Sequence, residues 1–139
     1  MIMQYSSRFS IATHVLLAIY TFDGQYKCTS RFLAESVNVN PVIIRNILSK
    51  LQKEGLIYVA SGIGGAKLAK DPKEISLLDI FHAVEEKEDL FRFHEHPNPD
   101  CPVGKNIHKV LDPRIDHAKK AMEASLASTT LSQLIKELA

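Results

Sequence analysis

The stretch NPVIIRNILSKLQKEG, residues 40–55, has both ends of a helix written into it. Asn40 is a good N-cap, and Pro41 suits the first helical position, where its missing N–H has no partner to lose. Ile44, Ile47, Leu48 and Leu51 form one apolar stripe. Gly55, followed by Leu56, is the usual C-terminal stop with its hydrophobic contact. Directly afterwards, LIYVA and AKLA read as two short strands around SGIGG, with three glycines in four positions. Glycine costs about 0.5–1 kcal/mol relative to alanine inside a regular element. That turn therefore demands positive φ angles or a close approach of backbone to a partner.

Upstream, Phe9, Ala12, Leu16 and Ile19 recur at helical spacing behind Ser6 or Ser7 as cap, and Gly24 ends the helix. TSRFLAESV follows as a helix of about two turns, with Thr29 or Ser30 as cap and Phe32, Leu33 and Val37 inward. The tripeptide NVN at 38–40 suits a tight turn. Three helices with a short second one, then a hairpin, is the order of a winged helix-turn-helix. The glycines form the tip of its wing.

The back half reads as helical. Ser76 and Asp79 stand at capping-box spacing before LLDIFHAV, and residues 92–102, rich in proline, read as loop. From Val103 to about Ser128, Leu111, Ile115, Ala118, Met122 and Leu126 approximate a coiled-coil seam. Pro113 should kink this helix or delay its onset. A Thr130–Gln133 capping box opens a last helix with Leu131, Leu134, Ile135 and Leu138 on its stripe. The fold class is thus mainly α: a winged helix-turn-helix head over 1–72, a connecting helix and loop over 73–102, and two helices over 103–139. A long helix with a narrow apolar stripe has little to bury against in so small a domain, so a homodimer is expected.

At 139 residues the chain fits one compact domain. No apolar run approaches the roughly 18–20 residues that span a bilayer, and the start lacks a signal-peptide layout; a cytoplasmic protein with no membrane partner is expected. The two cysteines, Cys28 and Cys101, are expected as free thiols there. Net charge is only +1, but it is unevenly placed: residues 1–70 hold eight basic against three acidic residues, and the remainder is acidic by four. The front half is the part suited to a polyanion.

The combination of LAE at 33–35, ILSKLQKEGLI at 47–57, G-x-GG-x-x-LA at 62–69, ISLLDIFHAVE at 75–85 and TLSQL at 130–134 resembles the Rrf-two family of bacterial winged-helix transcription regulators. The resemblance implies a dimer built largely by the long penultimate helix, a C-terminal helix packing back on the body, and two heads on a roughly palindromic double-stranded DNA site. It therefore implies a sequence-specific transcription regulator, by default a repressor, and not an enzyme.

A recognition helix enters the major groove by its N-terminal part. Here that part offers Asn40, Pro41, Val42, Arg45 and Asn46, then Ser49 and Lys50. Asn46 matches adenine, Arg45 matches guanine or a phosphate, and Val42 matches a thymine methyl. Relatives often carry an acidic residue and a glutamine where this chain has Arg45 and Asn46, so a different target is expected. Thr29 and Ser30 can hold a phosphate at the start of the second helix, as can Arg8 near the start of the first. In the wing, Ser61, Gly62, Gly64, Gly65 and Lys67 are the candidates for the backbone or minor groove. Relatives place arginine and an aromatic residue where this chain has Ser61 and Ala66, which weakens minor-groove reading.

Several relatives hold an iron–sulfur cluster with three cysteines in the loop before the dimerisation helix. Only Cys101 stands there, so no such cluster is expected. His94, His96, Cys101 and His108 are metal-ligand types, but in no standard spacing, and the expected cofactor is none. Cys101 precedes a helix N-terminus, a setting that lowers a thiol pKa and makes it a candidate redox sensor beside the reading as an inert remnant. Cys28 reads as a small buried side chain. Cys101 with His108 lacks a third orienting group, and GIGG lacks the lysine, hydroxyl and helix of a phosphate loop. The remaining alternative is a winged helix used as a protein-interaction module without DNA binding.

Overall fold

The computed structural model describes residues 7–60, 64–85 and 96–138. Its described elements run α1 (Arg8–Phe22), α2 (Ser30–Val37), α3 (Pro41–Lys53), β1 (Ile57–Val59), β2 (Ala66–Leu68), a 3-10 turn (Pro72–Glu74), α4 (Leu77–Val84), α5 (Pro102–Ala127) and α6 (Leu131–Leu138). This is the mainly helical fold with a two-stranded wing that the sequence announces.

Helices α1 to α3 bury one continuous core. Ala12, Val15, Leu16 and Ile19 from α1 meet Leu33 from α2 and Ile44, Ile47 and Leu51 from α3. Each large side chain so placed contributes about 1.5–3 kcal/mol relative to leaving it in water. The same cluster includes Ile75, Ile80, Val84 and Leu131, so α4 and the start of α6 share it. Antiparallel bonds from Leu77 N–H to the Thr129 carbonyl (2.9 Å) and from Leu131 N–H to the Ile75 carbonyl (2.8 Å) tie these segments together.

The ends of the elements mostly follow their residues. Asn40 caps α3 through its side chain, which accepts from Val42 N–H at 2.8 Å. Gly55, at φ +77°, and Leu56 close the helix with N–H bonds to the Gln52 and Leu51 carbonyls, and Leu56 is buried. Thr29, not Ser30, caps α2, accepting from Phe32 N–H at 3.1 Å. Both capping boxes form, Ser76 with Asp79 and Thr130 with Gln133.

Two pairs of alternatives are each narrowed by one. Ser7 precedes α1 but makes no side-chain cap bond; its backbone is already near-helical (φ −84°, ψ 0°), not in the extended conformation usual for a cap. Ser6 lies outside the described residues. Pro113 does not delay α5, which begins at Pro102 and runs through it. A proline inside a helix removes one N–H bond; eleven helical residues before Pro113 and fourteen after it make the loss local.

The wing answers the question posed by its glycines. β1 and β2 pair antiparallel, Ile57 with Leu68, Tyr58 with Lys67 and Val59 with Ala66. Gly64 and Gly65 take φ of +72° and +101°. A Cβ on Gly65 would stand 3.0 Å from the Cys28 amide nitrogen, while Ala66 N–H donates to the Cys28 carbonyl at 2.9 Å. The close approach is therefore to the protein's own α1–α2 connection. Ser61 and Gly62 lie outside the described residues. We expect Gly65→Ala to destabilise the head by about 1–3 kcal/mol, the usual cost of a side chain in a disfavoured φ region. Urea unfolding would show it; an unchanged midpoint would contradict this account of the wing.

Candidate nucleic-acid interface

Helix α3 buries Ile44, Ile47, Leu48 and Leu51. Its other side therefore presents Val42, Arg45, Asn46 and Ser49 at spacings of three, one and three, one exposed stripe along the helix. Asn40 is exposed just before it, Pro41 is half-buried, and Lys50 is half-buried on the flank. No acidic residue stands in the first turn, and Lys50 and Lys53 occupy the last. Lysines there suit the helix dipole.

Thr29 and Ser30 lie at the N-terminus of α2, with Arg31 exposed beside them and Lys27 exposed just ahead. Sequence reasoning counted Lys27 and Arg31 only as charges; their clustering at a helix start is the signal that marks them as candidates. Ile43 was also missed: it lies off the apolar stripe of α3 and is exposed.

Arg8 sits elsewhere. Its guanidinium meets the Glu85 carboxylate at 3.4 Å, linking the start of α1 to the end of α4. Lys67 on the wing strand donates to Asp23 at 3.0 Å. That hydrogen bond, then the attraction of the same carboxylate, raises the Lys67 pKa. Both side chains are well exposed, so solvent screens the pair.

The two cysteines occupy contrasting settings. Cys28 is buried beneath the wing, and burial, followed by the nearby Asp23 charge, raises its pKa. Cys101 is the N-cap residue of α5. The sulfur makes no full capping bond, but the N–H groups of Gly104 and then Val103 still favour the thiolate and lower its pKa, against a smaller desolvation effect. The lowering favours the thiolate of Cys101, and the raising favours the protonated thiol of Cys28. Iodoacetamide should therefore modify Cys101 first at pH 7–8, with Cys28 reacting only on unfolding. Peptide mapping after timed quenching checks this, and equal rates would contradict it.

His108 bonds Asp112 one turn on, at 3.1 Å. His94 lies outside the described residues. Among the described residues, no group of three or more His, Cys, Asp or Glu gathers as a metal cluster would. Nor is any described helix long and apolar enough to cross a membrane.

A family model described as Rrf2, iron-dependent transcriptional regulator, matches residues 5–137. The chain belongs to the Rrf2 family. YwnA of Bacillus subtilis (strain 168), described as a candidate HTH-type transcriptional regulator, is 42% identical over 133 residues, covering 96% of this chain and 98% of YwnA. A crystal structure of a candidate DNA-binding protein is 38% identical with a TM-score of 0.77, covering 93% of this chain and 99% of that one. The IscR of T. potens, 22% identical with a TM-score of 0.70 over 99% of this chain and 89% of that one, shares the fold. The family match and YwnA make this Rrf2 chain a DNA-binding transcription regulator rather than an enzyme.

Proposed function

We propose that this Rrf2 protein is a homodimeric, sequence-specific DNA-binding repressor acting in the cytoplasm. The observation that carries the reading is the exposed stripe of α3, Val42, Arg45, Asn46 and Ser49, on a helix whose opposite face is locked into the head's core. A rigid helix offering a guanidinium, an amide and a methyl-bearing side chain on one line matches the chemistry of major-groove base edges. The basic N-terminus of α2 adds phosphate-holding groups, and the wing supplies Gly64, Gly65 and, once released from Asp23, Lys67.

The dimer reading is supported by α5. None of its 26 residues is buried in the protomer, and Val103, Val110 and Leu111 are 69%, 66% and 43% exposed. Elsewhere on the protomer, an apolar groove of about 540 Å³ runs between α1 and α6, lined by Phe9, Leu17, Leu134 and Leu138 among others. So much uncovered apolar surface favours pairing with a second copy, through Leu111, Ile115, Ala118, Met122 and Leu126. A small dimer seated on a promoter blocks access to it, hence repression.

The chain's cysteines do not fit a three-thiolate cluster: it has two, one of them buried under the wing. We assign no cluster, and regard Cys101, with its favoured thiolate, as the group to test as a sensor.

The test is binding of reduced protein to its own upstream DNA and to random DNA across a salt series, repeated after mild oxidation with wild type and Cys101→Ser. Salt-dependent binding with roughly a thousandfold preference for one site is expected. Absence of binding even at low salt would overturn the reading in favour of a protein-interaction module.

A further inference from the structure

The first turn of α3 is built against the interests of the helix alone. Positions there favour acidic residues, which complement the positive end of the dipole. This chain instead has Val42 and Ile43, two β-branched residues of modest helix propensity. Neither is used by the core: Val42 is 59% and Ile43 43% exposed, while Ile44 beside them is fully buried. Two adjacent aliphatic side chains therefore stand in water at the end of the helix that enters the groove. Arg45 and Asn46 stand exposed one turn further along.

Resting on the DNA-binding reading above, we infer that Val42 and Ile43 form a methyl-reading patch, and that each operator half-site contains thymines whose 5-methyl groups pack against it. In the major groove the thymine 5-methyl is the apolar group that unmodified base pairs present. The flanking groups make this occupant fit better than an apolar protein segment. Arg45 and Asn46 are donors suited to base edges, and Lys27 just ahead of α2 and Arg31 on it are exposed cations suited to a polyanion. An acidic residue in the first turn would repel phosphates, and there is none. Val42 lies in line with Arg45, Asn46 and Ser49, whereas Ile43 lies on the flank toward Lys50, so the two side chains address neighbouring base pairs rather than one.

The experiment begins with selection of duplexes from a random pool by the full-length protein. Thymines in the enriched site are then replaced singly by deoxyuridine, which removes the methyl and leaves every hydrogen-bonding group in place. Loss of about fourfold in affinity per contacted methyl is expected, the factor that follows from burying one such group, at one or two adjacent positions per half-site. In Val42→Ser/Ile43→Ser the distinction between thymine and deoxyuridine should vanish. Both side chains are exposed, so the fold should hold, and an unchanged circular dichroism spectrum and melting midpoint would confirm that it does. An enriched site in which no deoxyuridine substitution changes affinity, or a double variant that still distinguishes the two bases, would overturn this inference alone. A pool with no enrichment would overturn the sequence-specific reading and this inference with it.

Discussion

Leu111→Lys/Ile115→Lys should turn the protein into a monomer and lower its affinity for a two-half-site operator by a hundredfold or more. Leu111 is exposed and Ile115 half-buried in the protomer, so neither holds the head together. Helical circular dichroism should therefore be retained. In a dimer the two substitutions would bring lysines together across an apolar seam, where an unpaired charge loses its water without gaining a partner. Affinity falls because a dimer binds its second half-site as an intramolecular event, at an effective concentration in the millimolar range, a gain of about 10²–10⁴ over single heads. Sedimentation velocity and a binding titration read the two effects together. A variant that remains dimeric with unchanged affinity would place the interface elsewhere.

Arg45→Ala and Lys50→Ala should fail in different ways. Arg45 is exposed in the middle of the α3 stripe. If it reads guanine through both acceptors, its loss costs about 1–3 kcal/mol at the specific site, roughly 5- to 150-fold, and little on random DNA. Lys50 is half-buried on the flank near the helix C-terminus, the geometry of a phosphate contact. Its loss should weaken binding to all sequences alike and reduce the salt slope by about one. Equal loss on specific and random DNA for Arg45→Ala would make it a phosphate contact. If neither substitution altered DNA binding, the recognition-helix assignment would fall.

Much of this was legible in the chain itself. The start and stop of α3, the two capping boxes and the hairpin rest on local chemistry: a side-chain oxygen reaching an N–H two or three residues away, or a glycine tolerating positive φ. Such interactions depend on residues within one turn of each other, so their spacing reveals them. The stripes of α1 and α3 were readable for a similar reason, since a helix must turn its apolar residues to one side whatever that side meets. The family was legible because its motifs are contiguous stretches.

What the fold alone decided involves partners distant in sequence. Arg8 faces Glu85, 77 residues away, and Lys67 faces Asp23, 44 away; no pattern in either segment announces these pairs. Gly65 is required by the backbone at Cys28, a packing contact that the wing sequence cannot express. Ile43 stands off the apolar stripe of α3, and only the packing of the other segments decides that nothing in the protomer covers it. Local rules state which conformation a segment can hold, but the accessible surface that remains for DNA is what is left after distant segments have packed.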